Sequence, residues 1–116
     1  MQYNIFVNQY AIIKNKFKID LLDAVIIDYM RKLCASSSKA IEIKREDGYT
    51  WFNYQHMINE LPLAGIKINT LKNHNIKRIK DTGLFDFKLK KIKDGSMIYI
   101  KPTPKCDLLD REQTLQ

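Results

Sequence analysis

A turn signal between two strand-prone runs constrains this chain more than any other feature. Asp47-Gly48 stands between Ala40–Glu46 and Tyr49–Phe52. Asp-Gly supplies the two positive-φ positions of a type I′ turn, whose twist matches that of paired strands, so the segment predicts a β-hairpin. A second hairpin is predicted where Lys93-Asp94-Gly95 joins Leu84–Ile92 to Ser96–Lys101. Helical spacing occupies the segments around them. Asp20 can cap a helix in which Leu21, Leu22, Val25, Ile26, Tyr29, Met30 and Leu33 form one wide stripe, with Asp23 and Asp28 off it in solvent. Ala35-Ser36-Ser37-Ser38 stops that helix.

Between the hairpins, Asn53 can cap a short helix over Tyr54–Leu61, which Pro62 ends. Pro62–Ile66 reads as a tight turn. Asn69 or Thr70 then caps a third helix that ends at Gly83. On a helical wheel Ile68, Ile76 and Ile79 share one sector with Leu71 at its edge, interrupted by Lys72 and Asn75. Residues 3–13 are apolar-rich, can start as a strand and finish in a helical turn without periodicity deciding it, and are expected to pack on the domain as part of a 1–19 extension. The domain is expected to close at Pro104, leaving 105–116 as a flexible tail.

The length of 116 residues allows one domain. The net charge of +7 is unevenly spread. Residues 67–105 carry 11 basic and 3 acidic side chains, whereas residues 1–66 carry 8 and 7. The positive excess therefore belongs to one stretch, as expected of a surface that meets a polyanion. Two cysteines, Cys34 and Cys106, do not make a disulfide scaffold and fit a reducing compartment. Without a signal-peptide pattern or a long uncharged apolar run, the chain is expected to be cytoplasmic, in a host cell or at its nucleoid, with no membrane contact.

The order helix, hairpin, short helix, turn, helix, hairpin resembles the winged helix-turn-helix DNA-binding domains of phage and plasmid replication initiators and regulators. The residues that carry the resemblance are Tyr49–Ile58, Leu61-Pro62-Leu63 and Ile76–Phe85, with Ile76-Lys77-Arg78-Ile79 ending at Gly83-Leu84 before the basic hairpin. The resemblance covers roughly residues 20–101. It implies an α+β fold: a three-helix core, a C-terminal wing, and an additional hairpin between the first two helices. It also implies a role in replication initiation or transcription regulation of a phage or mobile element.

Candidate DNA-binding residues follow from side-chain chemistry. On the outward face of the third helix, Asn73 has amide geometry for adenine, Lys77 suits guanine or phosphate, and Thr70 and His74 can meet base edges or backbone. Arg78 and Lys80 extend this basic helix. In the hairpin, Lys88, Lys90, Lys91 and Lys93 are expected to grip phosphate, with Lys88 and Lys90 on the face opposite Phe85, Phe87 and Leu89. Helix and hairpin should lie side by side as a single cationic front. The alternative for the lysines is protection of an edge strand from aggregation, and for the polar helix residues simple solvation.

Catalytic and cofactor constellations are absent from the pattern. Cys34, Cys106, His56 and His74 match no metal-ligand spacing, no Gly-rich phosphate loop occurs, and no nucleophile–base pairing stands out. A non-enzymatic protein without cofactor, binding double-stranded DNA and able to form a homodimer, is the leading expectation. A protein-interaction module or host-factor inhibitor on the same scaffold is the alternative, which an exposed apolar patch from residues 3–13, or a partner groove, would favour. A single-strand or RNA binder would need Trp51, Phe52 or Tyr99 exposed beside the lysines.

Overall fold

The computed structural model describes residues 4–36 and 45–110. Among them are helices α1 (Gln9–Lys14), α2 (Leu21–Ala35) and α3 (Tyr54–Glu60), and a composite helix made of α4 (Ile68–Thr70), a π-helical turn (Leu71–Asn75) and α5 (Ile76–Thr82). The strands are β1 (Arg45–Glu46), β2 (Tyr49–Trp51), β3 (Phe85–Ile92) and β4 (Gly95–Pro102). They form one antiparallel sheet in the order β1-β2-β4-β3, so the fold is α+β. Most of the expected first strand, residues 40–44, lies outside the described residues.

Local chemistry sets the boundaries. Asp47 and Gly48 both have positive φ, 53° and 82°, as the type I′ turn requires. Asp20 caps α2 by accepting from the Asp23 N–H, and the Asp23 carboxylate accepts from the Asp20 N–H in return. Asn53 caps α3 by accepting from the His56 N–H. Pro62 opens a 3₁₀ turn (Pro62–Ala64), and Gly65 leaves it in the left-handed region. Gly83 ends α5 in the same region, at φ 74°.

The third helix departs from expectation at its start and in its middle. It begins after Lys67 with no side-chain cap, so Asn69 and Thr70 lie inside it and do not cap it. The Ile76 N–H reaches back to the Leu71 carbonyl, closing a wider π-type ring. That turn holds one residue more than an α-turn. Leu71, Asn75, Ile76, Ile79 and Thr82 all end up facing inward, while Ile68 is left at the surface. A wheel of constant 100° steps places Ile68 inside and cannot foresee this.

One core joins the helices to the inner face of the sheet. Ile26 and Met30 of α2, Met57 of α3, Leu71 and Ile79 of the composite helix, and Ile100 of β4 are sealed from solvent. Each contributes roughly 1.5–3 kcal/mol of burial free energy. Asp23 and Asp28, expected in solvent, are buried instead. Asp28 pairs with Lys32 at 2.9 Å, one turn on. Asp23 accepts from Asn75 Nδ2 at 2.7 Å and from Arg78 Nε at 2.7 Å. Burial of the Asp23 carboxylate is tolerable because the Asp20 N–H, Asn75 and Arg78 all donate to it.

The ends also differ from expectation. Residues 5–8 are irregular and α1 starts after Asn8, whose side chain both caps the helix at Ala11 and donates to the Leu109 carbonyl. That second bond reaches the segment expected to be a tail. Pro104–Asp110 is a 3₁₀ helix with Cys106 and Leu109 buried in the core, so over those residues the tail expectation is corrected. Residues 111–116 lie outside the described residues. The N-terminal segment packs only in part: Ala11 is buried, but Ile5, Phe6, Tyr10 and Ile13 are exposed.

Candidate nucleic-acid interface

The composite helix presents a polar outer side. Thr70, Lys72, Asn73, His74, Lys77 and Lys80 are all exposed, while the opposite side is in the core. Among the described residues, no hydrogen bond or ion pair engages the side chains of Thr70, Lys72, Asn73, His74 or Lys77. The Lys80 ammonium sits 5.2 Å above the ring of Phe87, tying this helix to the hairpin. Thr70, Lys72, Asn73, His74 and Lys77 are thus held on a well-anchored helix without a hydrogen bond or ion pair among the described residues.

Arg78 is different. Its guanidinium donates through Nε and Nη2 to Asp23, at 2.7 and 3.1 Å, and through Nη2 to Asp20 at 3.3 Å. The fork clamps α5 to the first turn of α2. Burial alone would raise the Asp23 carboxyl, but the Arg78 guanidinium, the Asn75 amide and the Asp20 N–H more than offset it and hold it below the usual carboxylate range. Of the helix residues proposed to contact DNA, Arg78 is thus occupied inside the protein.

Strand alternation sorts the hairpin lysines. Phe85, Phe87, Leu89 and Lys91 point to the helix side of the sheet, and Lys88 and Lys90 to the other side with Met97, Tyr99 and Lys101. On that outer side Lys88 pairs with Asp47 at 3.4 Å and Lys90 with Glu46 at 2.6 Å. The bond and charge of Glu46 hold the Lys90 ammonium above its ordinary value. Lys88 and Lys101 also flank the Tyr49 ring, at 5.7 and 5.8 Å. Lys91 and Lys93 are exposed near the hairpin tip, with no ion pair among the described residues.

The single cationic front therefore divides. Thr70, Asn73, His74, Lys77 and Lys80 share the helix, and Lys91 is on the sheet face turned toward it. Ile68 and Lys72 line a groove of about 440 Å³ together with Ser96 and Ile98, which alternate onto the helix side of β4, so the start of the helix and the outer half of the hairpin are neighbours. Lys88 and Lys90 belong to the opposite sheet face. Lys72 joins the polar side although the sequence pattern put it on the inner face; the π turn is the reason. Phe52 and Tyr99 are buried and Trp51 is half-buried, so the aromatic exposure that single-strand stacking requires is missing from Phe52 and Tyr99.

The described residues contain no cluster of three or more His, Cys, Asp or Glu side chains able to hold a metal, and no helix long and apolar enough to cross a membrane. No protein family model, curated protein or solved structure matches the chain.

Proposed function

We propose that this chain is a winged helix-turn-helix domain that binds double-stranded DNA. In this reading α2, α3 and the composite helix are the three-helix core, the composite helix enters the major groove, and the β3–β4 hairpin is the wing. Its role is replication initiation or transcriptional control in a phage or mobile element. The observation that carries the reading is the outer side of the composite helix: Thr70, Asn73, His74 and Lys77 are exposed, lack side-chain partners among the described residues, and stand on a helix whose other side is fully packed. Base edges ask for donors and acceptors held rigidly but left unspent.

Fluorescence anisotropy with labelled duplex at low and moderate salt tests it. The wild type is expected to bind and to weaken with salt, and Lys72→Gln/Lys77→Gln to bind less tightly. Asn73→Ala should relax sequence preference more than general affinity. Absence of duplex binding at low salt overturns the proposal.

A second reading, a protein-interaction module, rests on the exposed apolar side chains Phe6, Ile13 and Leu21, at 54%, 75% and 63% exposure. It gains if duplex binding fails while Ile13→Asp/Leu21→Asp abolishes self-association in sedimentation.

A further inference from the structure

We propose that the cleft between the α1–α2 loop and the end of α5 is a second phosphate-binding site, which takes the DNA backbone flanking the stretch read by the composite helix. The inference rests on the duplex-binding reading and extends it to Lys16 and Lys18, far in sequence from the Lys-rich stretch 67–105.

The cleft has a volume of about 690 Å³. Lys16, Lys18, Arg78 and Lys105 line it, against one carboxylate, Asp81. Arg78 is committed to Asp20 and Asp23. Lys16, Lys18 and Lys105 form no ion pair among the described residues. The cations exceed the acids at a concave surface, where field lines converge and attract an anion.

The lysines are also positioned. The Lys16 N–H bonds to the Ile13 carbonyl and the Phe17 N–H to the Ile12 carbonyl, the paired bonds of a Schellman ending to α1. Lys16 takes the left-handed position of that motif, at φ 57°, where glycine is the unstrained choice. Phe17 packs against the core and so anchors the loop between its two lysines. Lys105 Nζ donates to the Thr82 carbonyl at 3.1 Å and stands 5.8 Å from the Phe17 ring. A lysine held in a backbone conformation that disfavours it, at the mouth of a basic cleft, points to a role for its charge.

Placement fits a continuous track. Asp81 lies one turn beyond Lys77 on the same side of the helix, and it lines the cleft. From Asn73 to Asp81 the helix rises about 12 Å, comparable to the width of the major groove. A helix seated in the groove near Asn73 brings its far end, and the cleft, to the phosphates that border the groove.

Binding to a duplex of about 25 base pairs, measured by anisotropy across a salt series, tests the site with Lys16→Gln/Lys18→Gln. Both side chains are exposed, and circular dichroism should show an unchanged melting curve. The expected result is a log–log salt slope shallower by about 1.8, at about 0.9 for each phosphate that is no longer neutralised. On a duplex of about 10 base pairs, which lacks the flanking phosphates, the two proteins should differ less. If the wild type binds and the variant keeps the wild-type slope, the cleft proposal is overturned while the helix reading stands. An undiminished difference on the short duplex overturns the flanking location. A wild type that binds no duplex overturns both.

Discussion

Asn75 Nδ2 donates to Asp23 Oδ1 at 2.7 Å, and both side chains are sealed from solvent. This bond ties the π turn of the composite helix to the first turn of α2, and Arg78 reinforces it three residues later. The outward residues Asn73, His74 and Lys77 sit around this anchor. Their direction depends on a polar contact beneath them as well as on core packing. The Asn75 Oδ1 has no hydrogen-bond partner among the described residues, so the contact is held at some cost.

Asp23→Ala should be strongly destabilising. It removes the acceptor of Asn75 and Arg78 and half of the capping box, which together amount to about 2–3 kcal/mol. For a domain near 100 residues that corresponds to a melting-point drop of about 10–20 °C. Asn75→Leu should cost less, because it deletes the orphaned oxygen together with the donor. Thermal denaturation of both variants checks the order; an Asp23→Ala protein as stable as wild type would show that the clamp contributes nothing to stability.

The same carboxylate sets an acid limit. Its folded pKa lies below the unfolded value, so its contribution is complete above the ordinary carboxylate range and is lost as pH falls through the folded value. Wild-type melting temperature should therefore decline below about pH 4, and Asp23→Asn should show a shallower decline over the same window.

The two pairs of hairpin lysines should behave differently toward duplex DNA. Lys91→Gln/Lys93→Gln should reduce the salt slope by about 1.8, whereas Lys88→Gln/Lys90→Gln should change it little, because those ammoniums already face Asp47 and Glu46. Equal losses from both pairs would mean that the ion pairs open on binding.

Cys106 should resist thiol reagents. Burial pushes its thiol up to about 11, against a small lowering influence from Arg31. Its Sγ also lies 3.2 Å from the Leu84 carbonyl. At pH 8 a disulfide-exchange reagent should modify half-buried Cys34 first and Cys106 in a slower phase that accelerates in denaturant. A single fast phase for both would show that the Pro104–Asp110 helix opens readily.

The elements defined by local chemistry were legible in the sequence. Asp20, Asn53, Pro62, Asp47-Gly48 and Gly83 each act through a short-range bond or a backbone preference, and each marks the boundary expected of it. What depends on distant partners was not legible. Asp23 reads as a solvated acid until Asn75 and Arg78, more than 50 residues away, are brought against it. Arg78 reads as one more basic residue of a basic helix. The alternation that separates Lys88 and Lys90 from Phe87 was visible, but the position of the composite helix on the Phe87 side, and of Glu46 and Asp47 on the other, required the assembled sheet. The basic cleft drew no attention because Lys16, Lys18 and Lys105 come from opposite ends of the chain.

The π turn makes the outward pattern of the composite helix a matter of residue count. Deleting one residue between Leu71 and Asn75 would permit an unbroken α-helix in which Thr70 and Lys77 keep nearly their present relation, whereas regular winding at the present length would swing Thr70 by about 100° relative to Lys77. The wide turn takes up the surplus residue, so the two ends of the helix stand to each other as they would in a regular helix one residue shorter.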